Sequence, residues 1–261
     1  PFEKEGLRIE WKEESRGSGQ MALDLKNGDA DMAILLTESF LKEIEPTPAD
    51  KMAGFPVTTP LTWGVHVSPT HQADQLDQIQ NRHFLVSRMG SGSHLMALVL
   101  AERQGWEKDG LTFEIVGNLD GAKEAFRSGS QGMFLWEKYT TASEVHAGSM
   151  KRIGEIPSPW PCFVFVVNDR SIGEFSDLIQ KIRNEIYDIS EKLSVDPTLP
   201  NRLSEAYSLG LEDVKSWLNQ TKWATQAKID RKELEEILAK TKKFEIVKRD
   251  LNPNEFLFLE G

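Results

Sequence analysis

Residues 16–36 read RGSGQMALDLKNGDADMAILL, and this stretch carries the pattern from which we predict the fold. Residues 20–26 have the apolar spacing of a short helix, and Asn27 with Gly28 predicts its end. Residues 31–36 form a nearly unbroken apolar run, which is typical of a buried strand. A loop containing Gly-Ser-Gly precedes the helix. The stretch therefore predicts a loop, a helix, a glycine turn and a strand in succession.

The same pattern returns 101 residues further along the chain. At this shift Gly28 falls on Gly129, and each glycine separates a predicted helix from an apolar run. A second echo pairs the loop RGSG at 16–19 with RMGSG at 88–92. Self-similarity at a fixed spacing indicates repeated structural units. We therefore predict two lobes built on one plan.

Strand and helix patterns alternate through the first two thirds of the chain. Further strands are predicted at 7–11, 57–68, 84–87, 112–116, 132–136 and 162–167, and further helices at 37–44, 93–104 and 121–127. Residues 156–161 contain three prolines and are interpreted as a break. Helices predominate later, at 174–193, 201–208, 211–222 and 231–242, with weaker strand patterns at 244–247 and 255–259. This order predicts an α/β fold in which mainly parallel sheets are flanked by helices.

The charge balance and the apolar runs limit the classes of partner. The 261 residues include 31 basic and 41 acidic side chains, which gives a net charge of −10, and no basic patch interrupts this balance. Such a chain repels phosphate backbones, so we predict no nucleic-acid partner. The longest apolar runs, 95–101 and 162–167, are shorter than the roughly 18–20 residues that span a bilayer. We predict no membrane span.

Patterns for catalysis or metal binding are not found. The single cysteine, Cys162, excludes an intrachain disulfide and a cysteine-based metal cluster. The five histidines lack metal-ligand spacing, and both Gly-Ser-Gly loops are too tightly spaced for a nucleophile elbow. We therefore predict no catalytic residue, no metal ion and no cofactor.

The two Gly-Ser-Gly loops are the main candidates for ligand binding. Each leads from a predicted strand to a helix N-terminus, where unpaired N–H groups and the helix dipole favour a carboxylate, sulfonate or phosphate. Ser93 is predicted as the N-cap of the second helix, and the dipole should keep His94 neutral. The alternative is a plain strand-to-helix turn with a serine cap. The candidate residues in these loops are Gly17, Ser18, Gly19, Ser91, Gly92, Ser93 and His94.

Two further pairs of candidates follow predicted strands. Thr37 and Glu38 end one strand, and Trp136 and Glu137 end another. In open parallel sheets this edge faces the ligand crevice, where a tryptophan offers a flat wall and a carboxylate accepts hydrogen bonds from a ring N–H or an amine. The alternatives are solvated charges for the glutamates and core packing for the tryptophan.

The order of these motifs resembles a known fold family. The segments PLTWGVHVSP, FLVSRMGSGSHLMALVLAERQGW, FRSGSQGMFLWEKYTT and PWPCFVFVVND follow the stretch quoted above in the same succession. This succession resembles the type II periplasmic binding-protein fold. It is most like the branch that includes the nitrate-, sulfonate- and thiamine-pyrimidine-binding proteins of ABC transporters and their soluble fungal relatives.

The resemblance implies an architecture and a place for the ligand. Lobe one would comprise 1–66 and 165–261, including the C-terminal helices, and lobe two would comprise 67–164. Hinge strands would lie near 65–68 and 163–167, and hinge motion would close the lobes on a ligand. The positions that match cleft-lining loops include the candidates above and Asn118. Trp63 and Trp160 flank the crossings and are interpreted as hinge packing.

Two departures from the family qualify these expectations. Members begin with a strand and a helix that have no counterpart before residues 1–6, so we expect a longer native chain. Yeast-type pyrimidine synthases of similar fold carry a cysteine cluster and an iron-binding histidine, which Cys162 alone does not reproduce. We therefore expect different chemistry in this chain.

The leading hypothesis is a solute-binding protein for ABC-type uptake. It would capture a small polar or anionic molecule, with or without a flat ring such as that of a thiamine precursor, and would partner a transporter permease. The alternatives are an enzyme of thiamine-pyrimidine metabolism or the effector-sensing domain of a regulator. Localisation stays open: periplasmic or lipid-anchored if a signal precedes the chain, and cytoplasmic otherwise.

Overall fold

The computed structural model describes residues 2, 6–14 and 16–258 of the chain. Its strands are β1 (Met32–Leu36), β2 (Lys51–Gly54), β3 (Pro60–Val67), β4 (His83–Val86), β5 (Thr112–Ile115), β6 (Met133–Glu137), β7 (Lys151–Pro161) and β8 (Phe163–Val167). Its helices are α1 (Ser18–Asn27), α2 (Thr37–Glu43), α3 (Gly92–Arg103), α4 (Leu119–Arg127), α5 (Ala142–His146), α6 (Asp169–Ser194), α7 (Leu199–Tyr207), α8 (Leu211–Gln220), α9 (Arg231–Lys243) and α10 (Pro253–Phe256). The predicted alternation of strands and helices is confirmed.

The strands form two sheets. Their order is β1-β8-β2 in the smaller sheet and β5-β4-β6-β3-β7 in the larger one. In the smaller sheet β8 runs antiparallel to both of its neighbours. In the larger sheet β4 is parallel to β5 and β6, whereas β3 is antiparallel to β6 and β7. Each sheet therefore contains one reversed strand.

The α/β class with helix-flanked sheets is confirmed, and the sheets are mixed, with one reversed strand in each, where mainly parallel sheets were expected. The two reversed strands, β3 and β8, are each the first strand after the chain passes from one sheet to the other. A crossover helix within one sheet makes consecutive strands parallel, and this constraint does not act on a strand that arrives from elsewhere. The apolar pattern of a strand shows that it is buried, not in which direction it runs.

The proline-rich segment that was interpreted as a break belongs to β7. This strand lies at the edge of the larger sheet and pairs only with β3. Pro157, Pro159 and Pro161 alternate along it, so their missing N–H groups fall on one side, as an edge strand tolerates. The carbonyl oxygens of Pro157 and Pro159 accept hydrogen bonds from the side chains of Arg103 and Lys240. Side chains rather than a further strand therefore cover this edge.

Three further strand predictions are wrong within the described residues. Residues 7–11 form no strand, and Ile9 and Trp11 are 46% and 71% exposed. Residues 244–247 close the C-terminal end of α9, where the amide of Ile246 donates to the carbonyl oxygen of Thr241. Residues 253–256 are helical, and Leu257 forms only an isolated bridge. Residue 259 lies outside the described residues.

The sequence repeat at a spacing of 101 residues corresponds to a repeated succession of helix, glycine and strand. It relates α1 and β1 to α4 and β6, and the left-handed glycines Gly28 (φ 79°) and Gly129 (φ 92°) end the two helices. The second Gly-Ser-Gly loop, however, precedes α3 and not α4. The two sequence echoes therefore correspond to different helices beside the larger sheet, α4 and α3.

One large apolar cluster joins both sheets. It contains side chains of β1, β2 and β8 from the smaller sheet and of β3, β4 and β6 from the larger one. Helix α3 is buried along most of its length, as its apolar sequence predicts. This core holds the start of α3 close to the elements that follow β1. None of the described helices has the length and the apolar character that crossing a membrane requires.

Candidate functional site

The first Gly-Ser-Gly loop starts α1 two residues earlier than the sequence pattern predicts. Gly17 is the N-cap, with a left-handed φ of 83°, and Ser18 is the first helical residue. The Ser18 hydroxyl accepts a 3.0 Å hydrogen bond from the amide of Leu36, which ties α1 to the end of β1. Within the described part of the chain, the amides of Ser18 and Gly19 have no hydrogen-bond acceptor. They remain open donors at the positive end of the helix.

The second loop places Ser91, not Ser93, at the N-cap of α3. The amide of His94 donates to the Ser91 hydroxyl over 3.4 Å, and this hydroxyl donates to the carbonyl oxygen of Arg88. Ser93 is the second helical residue, and its hydroxyl accepts from the amide of Ser87. The helix starts at Gly92, one residue earlier than predicted, because the Ser91 hydroxyl supplies the cap.

The amides at the start of α3 are open as well. Among the described residues, the amides of Gly92 and Ser93 have no hydrogen-bond acceptor. Both residues are buried. An unsatisfied buried N–H group is costly, and an anion is the partner that a helix N-terminus favours.

The two loops meet directly. A methyl group placed on Gly19 would lie 2.7 Å from Nη2 of Arg88, so this guanidinium covers the start of α1. At the second loop, Nζ of Lys42 in α2 donates a 3.3 Å hydrogen bond to the carbonyl oxygen of Gly90. Neither cation forms an ion pair with another described residue. Two cations therefore stand near two helix N-termini, and neither is paired with a carboxylate of the described residues.

Glu38 lies at the centre of a buried cluster beneath these loops. It is 7% exposed, and its Oε2 accepts a 2.9 Å hydrogen bond from Nε1 of Trp160. A methyl group placed on Gly92 would lie 3.3 Å from Glu38 Oε1 and 3.0 Å from Cη2 of Trp63. Glu38, the two indoles and the first residue of α3 are thus in contact. Thr37, its neighbour, donates its hydroxyl to the carbonyl oxygen of Pro161 over 2.6 Å.

Burial controls the ionisation of this cluster. It raises the pKa of Glu38, against which the hydrogen bond from Trp160 acts. Burial also raises the pKa of the Cys162 thiol to about 12, and the charges of Glu38 and Glu137 add to the effect. Cys162 is therefore a protonated thiol at neutral pH and not a nucleophile.

His94 is neutral, as predicted, but for a different reason. Its pKa is lowered by burial and by the charge of Lys42. Nδ1 accepts a 3.1 Å hydrogen bond from the amide of Gly90, and the ring meets Phe113 edge-on at 4.7 Å. The neutral ring therefore carries its proton on Nε2 and holds the second loop in shape.

The remaining candidates have other contacts. Trp136 stacks on Phe134 at 5.1 Å and packs in the cluster beside α4. Both carboxylate oxygens of Glu137 accept from the turn after β6, including the amides of Tyr139 and Thr140. Asn118 caps α4 through a 3.0 Å hydrogen bond from the amide of Gly121.

The site also contains side chains that the sequence analysis missed. Trp63 and Trp160 were interpreted as hinge packing, and Arg88 and Lys42 were not considered. One signal was present: both Gly-Ser-Gly loops begin with an arginine. The contact of Trp160 with Glu38 has no local sequence signal, because only folding brings these two residues together.

Two cavities of about 620 and 530 Å³ lie elsewhere on the molecule. The larger is lined by residues of β2, α6 and 225–229, and the smaller by residues of α9 and 247–253. Neither is lined by the Gly-Ser-Gly loops. The loops are in contact with each other through Arg88 and near Lys42.

Comparison with known proteins identifies the fold. A family model described as Ca3427-like periplasmic binding protein matches residues 63–156. The product of the Candida albicans CA3427 gene, which exhibits the generic periplasmic binding protein fold, superposes with a TM-score of 0.82 at 23% identity. That superposition covers 100% of this chain and 91% of the fungal one. This chain has the periplasmic-binding-protein fold.

Bacterial proteins of this fold are similar as well. The alkanesulfonate-binding protein SsuA from Xanthomonas axonopodis pv. citri, bound to MOPS, gives a TM-score of 0.76 at 14% identity over 93% of this chain and 84% of its own. The aliphatic sulphonate-binding protein SsuA from Escherichia coli gives 0.71 at 11% identity, with the same coverage of each chain. No curated protein sequence matches this chain significantly. The resemblance drawn from the motifs is confirmed, and proteins of the periplasmic-binding-protein fold close two lobes around a ligand.

Proposed function

We propose that this chain is a binding protein that holds a small organic anion between the loops 17–19 and 88–94. The observation that carries the proposal is the meeting of two helix N-termini with open amides, at α1 and α3. Such ends bind anions because their N–H groups point outward and their dipoles favour negative charge. Two opposed ends form a clamp when the lobes close.

The charge distribution supports an anion over a cation. The chain carries a net charge of −10, yet Arg88 and Lys42 stand at the loops without an ion-pair partner among the described residues. A positive patch on an acidic protein concentrates and orients anions. Arg88 would form a charge-assisted hydrogen bond with the bound group.

The ionisation of the site supports binding without chemical change. The Cys162 thiol is protonated, and Nδ1 of His94 is occupied by the amide of Gly90. The Cys162 thiol is therefore not a nucleophile. His94 is not a general base through Nδ1.

The structural relatives support an organic sulfonate as the ligand class. SsuA of Xanthomonas binds alkanesulfonates and was seen with MOPS. A sulfonate presents three acceptor oxygens and one negative charge, which suits two sets of open amides. Delivery to an ABC transporter permease is the physiological role that we propose.

Entry of the ligand requires the lobes to open. We propose the smaller and larger sheets as the cores of lobes one and two, with crossings at 55–59 and at Cys162. The resemblance implied hinge strands near 65–68 and 163–167. We place the crossings outside these ranges because β3 and β8, which contain most of them, each lie wholly within one sheet. Opening about these crossings would separate the two loops.

Calorimetric titration with alkanesulfonates, in a buffer free of sulfonate and phosphate, tests the proposal. The protein should bind at one site, and Arg88→Ala should weaken binding by about 10-fold, as loss of one charge-assisted hydrogen bond predicts. Arg127→Ala is the control, because Arg127 is exposed and pairs with Glu124. Absence of binding at millimolar sulfonate, or equal losses in both variants, would refute the anion clamp.

A further inference from the structure

Glu38 places a buried acceptor beside the open amides of α3. A methyl group placed on Gly92, the first residue of that helix, would lie 3.3 Å from Oε1 of Glu38. The amides of Gly92 and Ser93 are donors that await an anion, whereas the carboxyl of Glu38 offers oxygen lone pairs. Unpaired N–H donors and a carboxyl acceptor therefore lie next to each other in one site.

The acceptor capacity of Glu38 is only partly used. Oε2 accepts from Nε1 of Trp160, and the backbone N–H of Glu38 itself also stabilises the carboxylate. A carboxylate can accept about four hydrogen bonds. Within the described part of the chain, no lysine, arginine or histidine side chain bonds to it. A buried carboxyl group with spare lone pairs is costly unless a donor arrives.

This arrangement distinguishes between two kinds of anion. A simple alkanesulfonate has only acceptor oxygens and an apolar chain, so it would leave Oε1 of Glu38 unmatched. An anion that also carries an amine or a ring N–H would satisfy the amides and the carboxyl together. Trp63 and Trp160 would flank the atoms between the two groups.

We propose that the preferred ligand is an anion with a nitrogen donor close to its charged group, and that Glu38 selects it by accepting that donor. This inference rests on the proposed function and narrows it. Selection of this kind is strong, because a site built to pair with a donor is left with an unmatched buried group when the donor is missing.

Matched pairs of probes test the selection. Taurine and ethanesulfonate differ in the amine that taurine carries, and MOPS and propanesulfonate differ in the morpholine ring. Titration calorimetry of the wild-type chain should show the nitrogen-bearing member binding at least about tenfold more tightly in each pair. Equal affinities within both pairs would overturn the selection by Glu38 and leave the anion clamp standing. Failure of all four probes to bind would overturn both proposals.

The variant Glu38→Gln tests whether Glu38 is the selecting group. The amide replaces one acceptor oxygen by a donor without changing the shape, so the preference should fall below about threefold while the amine-free sulfonates bind at least as tightly as before. If Glu38→Gln has a native circular dichroism spectrum and still prefers the nitrogen-bearing sulfonates tenfold, Glu38 is not the selecting group. The wild-type comparison stands by itself if the variant does not fold.

Discussion

Nε1 of Trp160 donates a 2.9 Å hydrogen bond to Oε2 of Glu38, and this bond joins elements of two different sheets. Trp160 lies on β7 of the larger sheet, and Glu38 lies in α2, directly after β1 of the smaller sheet. Both side chains are buried. The bond therefore fixes the floor of the candidate site where the two sheets meet.

Trp160→Phe should destabilise the folded protein. The smaller ring leaves a small void and the Glu38 carboxyl loses its side-chain donor, and together we expect these losses to cost about 1–3 kcal/mol of unfolding free energy. Urea denaturation measures this loss. Trp11→Phe is the matched control: Trp11 is 71% exposed, so the change should stay within about 0.5 kcal/mol. Equal stability of the two variants would contradict the structural role of the Trp160–Glu38 bond.

Two glycine substitutions should act in opposite directions. The methyl group of Gly92→Ala would press on Trp63 at 3.0 Å and on Glu38 at 3.3 Å, both in the buried cluster, and such overpacking costs about 1–3 kcal/mol. Gly173→Ala in α6 meets nothing within 4 Å and should stabilise the helix by about 0.5–1 kcal/mol. Thermal and urea unfolding of both variants provide the measurement. A neutral or stabilising Gly92→Ala would mean that α3 does not contact Glu38 and Trp63 so closely.

His66 should make stability depend on pH. It is fully buried, with Nδ1 3.2 Å from the carbonyl oxygen of Phe134 and Nε2 2.9 Å from Oγ1 of Thr141. Burial lowers its pKa to about 4 from an ordinary 6.5. Between pH 4 and pH 6.5, His66 is therefore mostly protonated in the unfolded chain and mostly neutral in the folded chain. Stability should fall by about 3 kcal/mol as the pH drops from 6.5 to 4.

The variant His66→Gln isolates this effect. It lacks the titrating ring, so its stability should vary less between pH 6.5 and pH 4, even if it is lower overall. Urea midpoints at half-unit pH steps give both curves. Parallel curves for the two proteins over this window would show that His66 is not the group responsible.

Cys162 should resist thiol reagents in the folded protein. It is 5% exposed, and the raised pKa of about 12 leaves almost no thiolate at pH 8. Since the chain has one cysteine, the release of chromophore from a disulfide reagent reports on this residue alone. Native protein should react at least about 100-fold more slowly than urea-unfolded protein. Complete labelling of native protein within minutes would contradict the buried position.

Local patterns were sufficient for the secondary structure of most of the chain. Apolar spacing located α1, α3 and β8 because the period of a helix or strand is written in neighbouring residues. The same reasoning failed for β7, where Pro157 and Pro159 contradict a strand in general and are tolerated only at a sheet edge. Whether a strand is an edge strand is decided by its neighbours in space.

For the candidate site, the sequence indicated the loops but not their surroundings. Gly17–Gly19 and Ser91–His94 could be predicted because glycine and serine before a helix have a local physical meaning. The structure brings Glu38 to the start of α3, while Trp136 and Asn118 have other contacts. Sequence position at the end of a strand does not specify the face toward which a side chain points.

Short-range sequence patterns account for the α/β character, the repeat of helix, glycine and strand, and the helix N-termini at the two Gly-Ser-Gly loops. These features depend on residues within one or two turns of each other. The tertiary structure alone decided the strand directions, the protonated state of Cys162 and the contact of Glu38 with Trp160, 122 positions away. Burial and pairing between distant segments arise only when the chain has packed, and it is burial that changes the chemistry of an ionisable group.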